Sequence, residues 1–143
     1  MIRTFEEKDA KAVALLEKEC FSEPWSEKAI LESYGNSTLF LVYEEEEKIL
    51  GYAGLQIVLD EGYVTNIAVT EKMRGLGIGS RLISALKSRA KQKGLRFISL
   101  EVRESNFAAI SLYKKQGFVL VGKRRNFYTN PTEDGIIMTL EGF

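Results

Sequence analysis

Three glycines at alternate positions, Gly75, Gly77 and Gly79, stand between a β-branched run and an amphipathic helical pattern. A helix start presents unpaired N–H groups and a partial positive charge. Glycines there let the backbone come close to an anion, so the segment suits a phosphate or pyrophosphate. Arg74 adds a nearby charge, and a flexible helix start that binds nothing is the alternative. Two other phosphate motifs fit poorly. A Walker loop needs Gly-Lys-Ser/Thr, but Gly79-Ser80 has no lysine between them. The Rossmann fingerprint wants G-x-G-x-x-G directly after a strand, with an acid about 20 residues later. Glu101 lies near that distance, yet the spacing is G-x-G-x-G, and five residues, Thr70 to Arg74, separate Val69 from Gly75.

The chain has no histidine and one cysteine, Cys20. Ser-His and Cys-His catalytic pairs are therefore excluded, as is an imidazole base. A conventional zinc site has too few ligands, so no metal is expected. Proton transfer falls to Glu, Asp, Tyr, Lys or the lone thiol. Cys20 has no histidine to activate it, which argues against a covalent route through the thiol. A single cysteine permits no intrachain disulfide, and the N-terminus lacks the apolar stretch of a signal peptide. No apolar run approaches a membrane span. A cytoplasmic location is expected. Lys plus Arg and Asp plus Glu balance at 20 each, so no global field favours nucleic acid or an anionic membrane.

The elements that must position these residues follow from periodicity. Ala10, Val13, Ala14, Leu16 and Glu17 predict an amphipathic helix over 7–20. Pro24-Trp25-Ser26 breaks it, and Ser26 caps a second helix to about Tyr34. Strands are predicted at 39–43 and 49–59 around an acidic turn, Glu44–Glu47. Asp60-Glu61-Gly62 makes the next turn, and a strand runs over 63–69. A helix with Ile78, Leu82, Leu86 and Ala90 on one face ends near Lys93-Gly94. A strand over 96–102, a short helix over 106–115 and strands over 118–128 and 135–140 complete the chain. The expectation is one α+β domain over residues 1–143, with helices flanking a mixed, mostly antiparallel sheet. Its one parallel strand pair comes from a right-handed crossover between 63 and 102.

Arg74-Gly75-Leu76-Gly77-Ile78-Gly79 resembles the [RQ]-x-x-G-x-[GA] acetyl-CoA motif of the GNAT N-acetyltransferase superfamily. Asn66-Ile67-Ala68-Val69 before it, and Asn106, Leu112-Tyr113 and Gly117-Phe118 after it, follow that superfamily's order. Phe21-Ser22-Glu23-Pro24-Trp25-Ser26, Leu100-Glu101-Val102-Arg103, Ser105-Asn106 and Arg124-Arg125-Asn126-Phe127-Tyr128 are similar to its bacterial RimI-type branch. Members of that branch acetylate the N-terminal alanine of the eighteenth small-subunit ribosomal protein. The resemblance implies acetyl-CoA as cosubstrate, held by the segment Arg74–Ser80. It implies that Ile67, Ala68 and Val69 pair through their backbone with the pantetheine arm. It also implies Glu101 as general base and Tyr113 as general acid for the thiolate. Asn106 lies seven residues before Tyr113, two helical turns away, where it could bond the pantetheine.

The implied partner is a ribosomal-protein N-terminus; neither nucleic acid nor membrane is expected. Trp25, Tyr34, Asp60, Glu61 and Tyr128 are candidate acceptor-groove residues. Three readings stay open at this point: acetylation of an N-terminal α-amine, acetylation of lysine or a small amine, and a CoA-binding module without turnover. Pure binding needs neither Glu101 nor Tyr113, which weighs against the third.

Overall fold

The computed structural model describes residues 1–143. Seven strands form one sheet in the order β1-β2-β3-β4-β5-β7-β6. They are β1 (Ile2–Thr4), β2 (Thr38–Glu45), β3 (Lys48–Val58), β4 (Glu61–Val69), β5 (Phe97–Arg103), β6 (Val119–Tyr128) and β7 (Glu133–Glu141). The helices are α1 (Ala10–Cys20), α2 (Glu27–Tyr34), α3 (Ile78–Gln92) and α4 (Phe107–Lys115). Every pairing is antiparallel except β4 with β5, the parallel pair expected from the crossover through α3.

Helices cover both faces of the sheet. β2 shows why: Phe40 and Val42 face one way, while Leu41 and Tyr43 face the other, and all four are buried. The Phe40 side packs against Val13, Ala14 and Leu16 of α1 and Ile30 of α2. The Leu41 side packs against Leu82, Ile83, Leu86 and Ala90 of α3 and continues to Tyr113 and Phe118. Burying each such aliphatic side chain contributes about 1.5–3 kcal/mol. Ser26 caps α2 as expected, its hydroxyl accepting from the Ala29 N–H at 3.1 Å.

Three local readings change. β1 escapes periodicity because three residues are too few to show alternation. Its register against β2 is fixed by Arg3, which pairs with both Asp9 and Glu44. The acidic hairpin turn narrows to Glu46-Glu47, both at positive φ, while Glu44 and Glu45 belong to β2. Leu59-Asp60 makes the next turn, so Glu61 and Gly62 already lie in β4.

The feature that creates the site is a parting of strands. β4 and β5 pair only through Glu61–Phe97, Gly62–Ile98 and Tyr63–Ser99. Beyond them β4 has no neighbour on that side. A bulge starts the divergence: between the Ala53–Ile67 and Leu55–Val64 pairs, Gly54 alone stands opposite Thr65 and Asn66. Gly54 is needed there, since a Cβ would collide with the Thr65 hydroxyl and the Phe40 ring.

Candidate active site

The wedge between β4 and β5 opens into a cavity of about 450 Å³. Val64–Ile67 form one wall and Leu100–Arg103 the other; Asn106, Ala109 and Tyr113 of the α4 segment close one end. Over the opposite face lie Cys20–Glu23 and Trp25, with Phe127–Thr129 from the end of β6. The cavity thus draws on both faces of the sheet. Leu100 and Val102 point into the α3 core, so alternation sends Glu101 to the opposite face. Tyr113 belongs to the α3 side.

Glu101 is three-quarters buried, and its Oε1 stands 3.3 Å from Nε of Arg124. Its Oε2 is shielded from solvent and has no hydrogen-bond partner. An unpaired buried oxygen is costly, so this atom is set to receive a donor. The Tyr113 ring packs 5.8 Å from that of Phe118. Burial first, and then nearby Tyr128, push its hydroxyl up to about 12. Burial and the Glu101 charge do the same for Tyr128, whose ring carries the Arg103 guanidinium at 4.6 Å. Both tyrosines therefore remain proton donors at neutral pH.

The glycine segment leads from β4 through a single 3-10 turn, Glu71–Met73, into α3. Gly75 and Gly77 have φ of +80° and +85°, and a Cβ at either would meet open space. No side chain caps α3. None of the amides from Gly75 to Ser80 donates to another group of the chain. Six successive free donors at a helix start with open space before them suit a pyrophosphate. Gly79 lies where α3 meets α4, its Cβ position 3.3 Å from Leu112.

Residues 10–118 match the acetyltransferase (GNAT) family. The chain belongs to that GNAT family. It is 37% identical over 141 residues to the [ribosomal protein bS18]-alanine N-acetyltransferase of Escherichia coli, covering 97% of this chain and 95% of that protein. A crystal structure of that Escherichia coli enzyme superposes with a TM-score of 0.92 at 36% identity, covering 99% of this chain and 92% of the other. Ard1 from Thermoplasma volcanium also gives 0.92, at 28% identity, over 100% of this chain and 97% of the other.

In this GNAT chain both catalytic candidates converge on the wedge with some of the binding candidates, while the segment Arg74–Ser80 does not line it. Ile67, Glu101, Asn106, Tyr113, Trp25 and Tyr128 all line the cavity. Ala68 is buried against the α1 side, and Val69 ends the strand. Asn106 precedes α4 rather than lying within it: its Oδ1 caps the Ala109 N–H at 3.2 Å, leaving its NH2 free. Arg74 acts as a brace. Its Nε donates to the Val69 carbonyl at 3.0 Å, and its guanidinium stands 3.3 Å from Cys20 Sγ.

Cys20 lines the cavity, but burial raises its pKa against the opposing effect of Arg74, so it is poorly disposed to act as a nucleophile.

Three groove candidates lie elsewhere. Tyr34 packs edge-on against Phe5 with ring centres 5.0 Å apart. Asp60 and Glu61 pair with Arg96 at the start of β4, the end where the strands are still joined. Their place in sequence suggested a flanking loop; the direction of β4 puts them at the closed end of the wedge.

Several residues that build the cavity entered the sequence reading only as part of the RimI-type resemblance, with no role assigned. Arg103 donates to the Thr129 carbonyl at 2.8 Å and the Pro131 carbonyl at 2.9 Å, pairs with Glu133, and reaches Ser22. Glu23 accepts from Thr129 and, at 3.4 Å, from Asn130. These contacts span 26 to 107 residues, and no local pattern announces them.

Proposed function

We propose that this GNAT domain transfers acetyl from acetyl-CoA to the N-terminal α-amine of ribosomal protein bS18, at alanine, in the cytoplasm. The observation that carries the reading is the 37% identity, over nearly the full length of both chains, to an enzyme named for that specificity. The wedge, with a carboxylate on one face and a phenol on the other, supports the reading.

Acetyl-CoA supplies an activated thioester. The amides of Gly75–Ser80 would hold its pyrophosphate, with Arg74 bracing the loop. The open edge of β4 at Ile67–Val69 would pair with the pantetheine amides, and the free NH2 of Asn106 would donate to the same arm. A main-chain N–H at the strand end would polarise the thioester carbonyl. Two bound substrates held in line need no enzyme nucleophile, so much of the rate comes from orientation.

The acceptor enters on the Trp25–Tyr128 side and brings its ammonium to Glu101. The unpartnered Oε2 takes the proton, directly or through water, as the amine attacks. An α-amine near pKa 8 gives up that proton about 2.5 units more readily than lysine, a difference of about 3.4 kcal/mol. Tyr113 meets the departing sulfur. With its hydroxyl near 12 and a thiol near 8.5, full proton transfer is uphill by roughly 5 kcal/mol. Tyr113 therefore acts first as a hydrogen-bond donor that stabilises the thiolate.

The test is a panel of peptides with free or blocked N-termini, incubated with acetyl-CoA. Thiol release and the modified position are read by mass spectrometry. Acetylation at the α-amine of an alanine-initiated bS18 peptide is expected. Modification of lysine with the α-amine untouched would overturn the acceptor assignment; CoA binding without turnover would overturn the enzymatic one.

A further inference from the structure

Glu17 takes no part in the chemistry proposed above, yet it is a wholly buried carboxylate. Its partners are all neutral. Oε1 accepts from the Trp25 backbone N–H at 2.9 Å. Oε2 accepts from Nδ2 of Asn66 at 2.9 Å and from the Tyr52 hydroxyl. Burying a carboxylate is costly unless it is fully hydrogen-bonded, and an apolar side chain would fill the same space without that cost. Burial and the Glu17 charge push the Tyr52 hydroxyl up, which keeps it a donor.

The three donors come from three separate walls. Trp25 belongs to the segment over the acceptor side. Asn66 sits in the bulge where β4 leaves β5, and Tyr52 lies on β3 behind it. Glu17 is the one side chain that accepts from all three. We propose that Glu17 is a positioning residue for the acceptor: it fixes the Trp25 segment against the β4 bulge and so sets where the incoming amine lies. The inference rests on the reading of the Trp25 side as the acceptor side.

Trp25 is the sole tryptophan, so its fluorescence reports on that segment directly. The experiment compares the full-length wild type with Glu17→Met, Glu17→Gln and Tyr52→Phe. It measures KM for an alanine-initiated peptide, KM for acetyl-CoA, and acrylamide quenching of Trp25. Glu17→Met should raise the peptide KM about tenfold, equivalent to about 1.4 kcal/mol, increase quenching, and leave the acetyl-CoA KM unchanged. Glu17→Gln should recover most of both effects. Its amide oxygen still accepts from Trp25, and its NH2 faces the Tyr52 hydroxyl and a turned Asn66 amide. Should Glu17→Met fail to fold, Tyr52→Phe decides: losing one of three donors should raise the peptide KM about two- to threefold. An unchanged peptide KM and quenching in the deciding variant would overturn the proposal. So would an acetyl-CoA KM rising in step, or Glu17→Gln as impaired as Glu17→Met. If the wild type modifies lysine instead, the N-terminal reading fails, and the same comparison on a lysine peptide still decides the role of Glu17.

Discussion

The glycine loop follows the unpaired end of β4, the Phe21–Trp25 segment lies over the wedge, and the two are held by opposite means. The loop is contiguous, Arg74 to Ser80, and offers free backbone donors at a helix start. Side chains matter there mainly by their absence. The Phe21–Trp25 segment is held by side chains from outside it: Glu17 of the preceding helix α1, Arg103 from β5, and Thr129 and Asn130 from the β6–β7 turn. On the proposed reading, the acetyl donor is met by a local backbone device. On the same reading, the acceptor is met by side-chain contacts from several elements, which lie apart from the loop.

Substitutions can break or sharpen this division. The largest effect is expected at the centre, where both sides meet. Glu101→Gln should lower kcat about 100-fold or more while acetyl-CoA affinity, read by calorimetry, stays unchanged. A wild-type rate would remove Glu101 from the chemistry. Tyr113→Phe should follow, with kcat reduced roughly 30-fold, the scale of a hydrogen bond to a charged group, and both KM values kept. On the donor side, Gly77→Ala forces a side chain into the left-handed region, at about 1–2 kcal/mol. Its acetyl-CoA KM should rise roughly tenfold while the peptide KM holds; the reverse pattern would dissolve the division. The smallest change is expected on the acceptor rim. Arg103→Gln should raise the peptide KM about threefold, since the lost bonds to the β6–β7 turn are partly exposed.

The same contrast explains what was legible in the sequence. The parallel crossover, α3 with its apolar face, and the glycine loop are local, periodic features, and all could be read directly. Glu101 stood out only through the resemblance carried by Leu100-Glu101-Val102-Arg103; alone it reads as an ordinary strand-end carboxylate. The three-residue β1 carries too little pattern to be seen. Asp60 and Glu61 looked like rim residues because sequence gives a strand's position but not which end of it opens. Arg103 and Glu17 were invisible as cavity builders. Arg103 reads as an ordinary strand-end charge, and Glu17 falls on the apolar face of α1, where only the folded partners Trp25, Tyr52 and Asn66 reveal its purpose.

The parting of β4 from β5 also bears on how the protein endures. From Val64 onward β4 presents backbone groups that no strand of the chain satisfies on that side. The sheet is in effect one place short. A pantetheine arm lying along that edge would complete the ladder as a non-peptide strand. Ligand bound only by the folded state adds to its stability in proportion to the logarithm of its concentration. Acetyl donor supply would then govern the lifetime of the folded protein as well as its turnover.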